Sequence, residues 1–361
     1  MFSKEETERY NRQLMLPELG VSGQQKLKQA QVLMIGAGGL GCPVLQYLTA
    51  AGVGTIGIAD MDTVSESNLH RQILYTSADV GQPKAEVAAR KLAQQNPFVN
   101  FRVHGQGITV ENALALVQQY DVVVDGSDNF PTRYLVSDAC TILKKPLVFG
   151  SIFKFEGQVT VFNYKNGPSY RCLFPEPPGA NEVPNCAEIG VLGVLPGIIG
   201  TLQANETIKV ITGMGEVAAG KLLLFDALAL RFYAVKVPRT AMADQVTKLQ
   251  PSYESVCTAE SPGELIELSP QEYRHWREQG RQVQLLDVRE PHEYEAFHID
   301  GALVPLSELP ERLDELQLQP EVVVHCQSGV RSRQAIIVLL ERFPEVRFYN
   351  LTGGLSAWDA E

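Results

Sequence analysis

Short apolar runs alternate with helix-period segments along the first 150 residues. QVLMI at 31–35 enters a glycine-rich turn and a helix from Gly39, TIGIAD precedes a helix at 83–95, and NFRVHG, DVVVDGS and PLVFGS follow. Runs that are apolar at every position suit strands buried on both faces, so the pattern predicts a parallel sheet covered by helices. From residue 156 the period changes: GQVTVFNY, KLLLFDAL and RFYAVKV read as sheet strands without helices between them, an antiparallel extension. The uncharged run Ile189 to Asn205 is interrupted by glycines and by Pro196, which suits a buried helix with a glycine-rich approach better than a membrane span. Residues 238–263 lack periodicity and are rich in Pro, Ser, Thr and Gln, as a connector would be. The alternation then restarts on a smaller scale with ELIEL, a helix at 270–279, QLLDV, EVVVHC, a helix at 331–342 and VRFYNL. The expected class is α/β throughout. A Rossmann-like domain with a mixed sheet occupies 1–240, a linker 241–262, and a small α/β domain 263–361.

The chain has 361 residues, 45% of them hydrophobic, which supports two cores. Its net charge of -11 argues against a nucleic-acid partner, because such partners call for a clustered basic face. The start, MFSKEETERYNRQ, is charged and carries no apolar segment of the secretory kind, so the expected location is the cytoplasm, away from any membrane. Six cysteines in such a chain are core residues, ligands or nucleophiles rather than a disulfide framework.

Gly36, Gly38 and Gly41 satisfy G-x-G-x-x-G directly after a strand, a turn whose amides and helix end receive phosphates. Asp60 ends the second strand, where an acid holds a ribose diol. Both features fit an NAD(P)-dependent oxidoreductase as well as an ATP site. A triphosphate under attack needs several cations, and Arg12, Arg71 and Lys84 are available.

RYNRQ (9–13), GAGGLG, DMDTVSESNLHRQ (60–72), VGQPK (80–84) and DGSDNFPTRY (125–134) stand in an order and spacing that resemble the MoeB/ThiF branch of the ubiquitin-activating superfamily over residues 5–237. The resemblance implies ATP-dependent adenylation of the C-terminal Gly-Gly of a ubiquitin-like sulfur-carrier protein. It places Gly39 against the nucleotide, Asp60 on the ribose with Asp62 beside it, and Ser67, Asn68, Arg71 and Lys84 along the phosphates. It gives Mg²⁺ to Asp128 with Asn129 alongside, and brings Arg12 from the second subunit of a homodimer. NCAEIGVLG (185–193) matches the segment whose cysteine attacks the acyl adenylate in ubiquitin-activating relatives, which makes Cys186 a second candidate nucleophile. Cys42 and Cys140 lie in apolar helical patterns and read as core. Relatives of the MoeB type hold zinc with two C-x-x-C pairs. SYRC (169–172) and ESVC (254–257) keep one cysteine each, and Cys172 and Cys257 with Ser169 and Glu254 make a poor tetrahedral set, so no zinc is expected.

In EVVVHCQSGVRS (321–332), Cys326 ends an apolar strand and a helix follows its loop, so loop amides, the helix end and Arg331 favour a thiolate. Only four residues separate Cys326 from Arg331, one fewer than a phosphatase of this kind uses to enclose phosphate. Together with LLDVREPHEYEAFHIDGALVPL and NLTGGLSAW, the stretch 264–359 resembles a single-domain rhodanese, which implies a persulfide on Cys326. Asp287 and Arg289 are expected to form a structural ion pair, and His298 and His325 to satisfy local hydrogen bonds. The two domains together suggest adenylation followed by sulfur transfer, with a cysteine desulfurase as the expected donor; a non-catalytic scaffold that docks a carrier is the alternative outside enzymology.

Overall fold

The computed structural model describes residues 2–177, 190–253 and 265–358. It divides into two compact units, Met1–Val256 and Cys257–Glu361. In the first unit, helices α1 (Lys4–Leu14) and α2 (Gly20–Gln29) precede β1 (Gln31–Ile35), α3 (Gly41–Ala51), β2 (Thr55–Ala59), α4 (Lys84–Gln95), β3 (Asn100–His104) and α5 (Ala113–Gln118). Then come β4 (Val122–Asp125), α6 (Phe130–Ile142), β5 (Leu147–Phe153), β6 (Glu156–Phe162), α7 (Leu195–Thr212), β7 (Lys221–Asp226), β8 (Arg231–Lys236) and the short α8 (Met242–Gln245).

These eight strands form one sheet in the order β3-β2-β1-β4-β5-β6-β7-β8. Pairing is parallel from β3 to β5 and antiparallel from β5 to β8, the mixed sheet that the change of period at 156 predicts. The uniformly apolar β1 has a direct cause: Val32 and Met34 pack into the core on one face, Leu33 and Ile35 into the core on the other. Full burial of each of these four side chains contributes roughly 1.5–3 kcal/mol, so no polar residue fits from Val32 to Ile35, and the polar Gln31 stands at the half-buried start of the strand. One expectation fails. Helix α7 stands between β6 and β7, where the strands were read as following one another directly. Its buried Leu195, Ile199 and Gln203 lie against the sheet, so the glycine-broken run is a helix with its start at Leu195.

The second unit contains β9 (Leu265–Leu268), α9 (Pro270–Glu278), β10 (Gln284–Asp287), α10 (Pro291–Ala296), β11 (Ala302–Leu303), α11 (Leu309–Arg312), β12 (Glu321–His325), α12 (Val330–Arg342), β13 (Arg347–Leu351) and α13 (Gly354–Trp358). Its strands run in the order β11-β10-β12-β13-β9, all parallel. The central β12 is buried from Val322 to His325 and delivers Cys326 to the carboxyl end of the sheet.

A buried ion pair ties α6 to the segment after β6, and a tyrosine from beyond β8 joins it. Arg171 donates to both Asp138 oxygens at 2.7 and 2.8 Å, and the Tyr253 hydroxyl donates to the same carboxylate at 2.8 Å. Asp138→Ala leaves that guanidinium buried without its charge partner, and should cost about 3–5 kcal/mol, seen as a lower melting temperature by circular dichroism. The double change Asp138→Leu with Arg171→Met should recover most of the loss.

Candidate functional site

Strand β1 has neighbours on both sides that connect in opposite directions, and ligands of open α/β sheets bind in the crevice at such a reversal. A cavity of about 420 Å³ opens there, beyond the carboxyl ends of β1, β2 and β4. Its floor is the glycine turn. Gly36 takes φ +82°, a conformation that side chains disfavour, and a Cβ on Gly41 would stand 2.1 Å from the Gly36 carbonyl oxygen. Gly41 therefore makes the turn by close packing and does not line the cavity, whereas Gly36, Gly38 and Gly39 do.

Asp60 faces this turn and braces it. Its Oδ2 accepts the Ala37 N–H at 2.7 Å and its Oδ1 accepts the Asp62 N–H at 2.8 Å. Burial raises the Asp60 carboxyl above its ordinary value despite those amides and the nearby Lys84. Lys84 begins α4 and is 4% exposed; its Nζ lies 2.8 Å from the exposed Asp62 carboxylate at the rim. Arg71 hydrogen-bonds Asn68 Oδ1 at 2.6 Å, and among the described residues no carboxylate pairs with it. Asp128 projects into the cavity exposed, without a hydrogen-bond partner among the described residues, while the Asn129 side chain caps α6 by accepting the Thr132 N–H at 2.9 Å.

The structure thus brings together Gly36, Gly38, Gly39, Asp60, Asp62, Arg71, Lys84, Asp128 and Asn129. It places two expected phosphate residues outside the lining: Ser67 is exposed beside Ser65, and Asn68 acts through Arg71. Arg12 lies exposed near the end of α1, away from the cavity of its own chain. Cys186 lies outside the described residues. Sequence reasoning missed His70, Gln72, Arg133 and Lys154, which also line the cavity. Gln72 and Arg133 are buried, and among the described residues Gln72 Oε1 and Arg133 Nε have no hydrogen-bond partner. Their signal was present, since each sits inside a quoted motif, SNLHRQ or NFPTRY.

The cysteines sort by surroundings. Burial pushes the Cys42 thiol up to about 12 and Cys140 higher still. Cys172 is half-buried; desolvation opposes its ionisation, but the Thr240 N–H at 3.4 Å and the Ser169 hydroxyl at 3.6 Å hold the thiol below its ordinary value. Among the described residues no three His, Cys, Asp or Glu side chains gather as a metal site, and Glu254 and Cys257 lie outside those residues.

In the second unit the Cys326 sulfur is buried at the mouth of a loop, accepting the Gly329 N–H at 3.2 Å with the Ser332 hydroxyl at 3.5 Å. Arg331 does not stand alone beside it. Glu293 of α10 binds its guanidinium through two 2.7 Å hydrogen bonds, which draw the Glu293 carboxyl down to about 2. Asp287 and Arg289 form the buried pair that DVRE suggests, at 2.6 Å. His298 accepts the Asp300 N–H at 3.2 Å. His325 departs from expectation: it is fully buried and neither ring nitrogen finds a hydrogen-bond partner among the described residues, the Asp287 carboxylate standing 3.8 Å from Nε2.

Burial lowers the His325 imidazole to about 4. The unfolded chain, with an ordinary histidine near ~6.5, then takes up its proton first as pH falls. Stability from this group is fully present above about pH 6.5 and is lost toward pH 4, on the order of 3 kcal/mol in all. His325→Leu should remove that part of the pH dependence in the full chain, measured by the fluorescence of Trp276 and Trp358, the only two tryptophans and both in this unit. An unchanged slope between pH 6.5 and 4 would contradict the assignment.

Comparison with known proteins now bears on both sites. The chain matches the ThiF family over residues 10–246 and the rhodanese-like domain over 269–361. It is 44% identical to a probable adenylyltransferase/sulfurtransferase MoeZ of Mycobacterium tuberculosis, over 99% of this chain and 93% of that one. It is 52% identical to a sulfur carrier protein adenylyltransferase of Thermus thermophilus, over 71% of this chain and 98% of the relative. An adenylyltransferase and sulfurtransferase MOCS3 of Drosophila sechellia is 44% identical over 97% of this chain and 82% of its own. Among solved structures, E. coli MccB superposes with a TM-score of 0.59 at 23% identity, over 69% of this chain and 74% of that one, a likeness of fold. The cavity over the glycine turn and the loop around Cys326 are thus parts of one chain that belongs to the ThiF family and continues into a rhodanese-like domain, joining an adenylyltransferase to a sulfurtransferase.

Proposed function

We propose that the chain adenylates the C-terminal Gly-Gly carboxylate of a ubiquitin-like sulfur-carrier protein with ATP, and then delivers sulfur to it from a persulfide on Cys326. The observation that carries this reading is the guanidinium of Arg71, which no carboxylate neutralises among the described residues, in a cavity floored by the glycine turn. Attack of a carboxylate on the α-phosphate brings anions together and releases pyrophosphate, so fixed positive charge lowers the barrier. Arg71 and Lys84 supply it, the amides of Gly36 to Gly39 receive phosphate oxygens, and Asp60 accepts from the ribose. Lys84 gives up Asp62 as a partner when phosphate replaces it.

Mg²⁺ belongs to the same reading. The unpartnered Asp128 carboxylate and the Asn129 side chain are oxygen donors of the kind a hard cation selects, and they lie on the cavity wall. When bound, the ion offsets charge on the leaving pyrophosphate. Arg12, exposed on α1, is the group a homodimer would contribute to its partner's cavity. No structural zinc enters the scheme; elemental analysis of purified protein should find none, and one equivalent per chain would overturn that.

Sulfur transfer then follows in balanced steps. The terminal sulfur of the Cys326 persulfide attacks the acyl carbon, the C–O bond to AMP breaks, and AMP leaves with the electron pair. A second thiolate, for which Cys186 is the candidate, attacks the Cys326 sulfur and releases the carrier thiocarboxylate, leaving a disulfide for reduction by an external thiol. The donor that recharges Cys326 is, in this reading, a cysteine desulfurase, and the setting is the cytoplasm; molybdenum cofactor biosynthesis is one pathway that uses such chemistry.

ATP–pyrophosphate exchange with a purified Gly-Gly-ended carrier tests the first half. Exchange should require the carrier, fall about 100-fold or more in Arg71→Ala, and persist in Cys326→Ala. Absence of exchange with every carrier tried, together with tight NADH binding, would favour an oxidoreductase instead.

A further inference from the structure

The arginines around the Cys326 loop are each matched to a carboxylate. Arg331 is held by Glu293 through two 2.7 Å hydrogen bonds, Arg289 by Asp287 at 2.6 Å, and Arg333 by Glu267 at 2.7 Å. Glu290, which caps the start of α10, adds a second negative charge that acts on Arg331. The loop residues Gln327, Ser328, Gly329 and Val330 carry no charge. Two acids therefore oppose the one guanidinium that could meet a donor over the sulfur. The first unit does the reverse, since Arg71 has no carboxylate partner among the described residues. In the first cavity Lys84 is paired with Asp62 but Arg71 is left without a carboxylate among the described residues, whereas at the sulfur site Arg331 is paired.

We infer that Glu293 sets the donor specificity of Cys326: by neutralising Arg331 it disfavours small dianionic donors such as thiosulfate and favours sulfur arriving as a persulfide on an organic thiol. The inference rests on the sulfurtransferase reading of Cys326 given above. With thiosulfate, the Cys326 thiolate attacks the outer sulfur, the S–S bond breaks, and sulfite leaves with the electron pair. With an organic persulfide, the same attack on the outer sulfur breaks the S–S bond and expels the organic thiolate. Both routes end at the Cys326 persulfide, so they differ in the charge brought to the rim. Repulsion from Glu293 and Glu290 scales with that charge and doubles for a dianion.

The test uses the full chain with cyanide as sulfur acceptor, comparing thiosulfate with the persulfide of 2-mercaptoethanol above their uncatalysed rates. Glu293→Gln keeps a hydrogen-bond acceptor for Arg331 while removing the charge. It should raise the ratio of kcat/KM for thiosulfate to kcat/KM for the organic persulfide by about tenfold, chiefly through a lower KM for thiosulfate. Glu290→Gln should move the ratio the same way by a smaller factor. A ratio unmoved in both variants, with both donors turned over, overturns the role of Glu293 alone. Turnover of neither donor by the unaltered protein removes the sulfurtransferase reading and this inference with it.

Discussion

The first unit depends on one close approach. The carbonyl oxygen of Gly36 occupies the place where a side chain at position 41 would begin, so β1 and α3 meet with backbone against backbone. That contact aims the start of α3 at the crevice and strips the turn of side chains. Asp60 completes it by accepting two amides, one from the turn and one from its own strand end. Everything that lines the cavity is then measured from this fixed corner: Arg71 and Lys84 from the segments after β2, Asp128 and Arg133 from those after β4.

The two sites solve opposite electrostatic problems with the same materials. Both place a reactive position at the carboxyl end of a parallel strand, next to a loop that leads into a helix. In the first, Arg71 borders the cavity with no carboxylate paired to it among the described residues, while Lys84 lies buried against Asp62, as suits chemistry that concentrates negative charge. In the second, the sulfur is sheltered, with a backbone amide and a hydroxyl directed at it, and the neighbouring guanidinium is already engaged. An anionic sulfur is thereby supported by local dipoles more than by an unpaired charge.

Much of this was legible in the sequence for physical reasons. The apolar β1, β4 and β12 reveal themselves because both faces are buried, and the change at residue 156 marks where the pairing turns antiparallel. The glycine motif and the spacing of Cys326 and Arg331 are local patterns that a single segment displays. What remained hidden is what arises between segments. Glu293 lies 38 residues before Arg331, and nothing in EPHEYEAF distinguishes it from Glu290 or Glu295. Gln72 and Arg133 become cavity residues through folding, and their orphaned polar atoms are visible only when neighbours are in place. His325 looks like an ordinary strand-end histidine until folding leaves both ring nitrogens without a hydrogen-bond partner among the described residues, with Asp287 3.8 Å away. Helix α7 was legible as a buried helix in the run 189–205, but that it packs against β4, β5 and β6 follows from the fold rather than from period.

Persulfide sulfur is mobile cargo, because any thiolate within reach can take it. The protonated, buried state of Cys42 and Cys140 is therefore more than a packing detail. A thiol held by burial in its neutral form is a poor acceptor, so these two core cysteines cannot divert sulfur from its route or be crosslinked by it. The hydrophobic core of the first unit acts as insulation: it lets a protein that handles reactive sulfur keep cysteines as small apolar spacers.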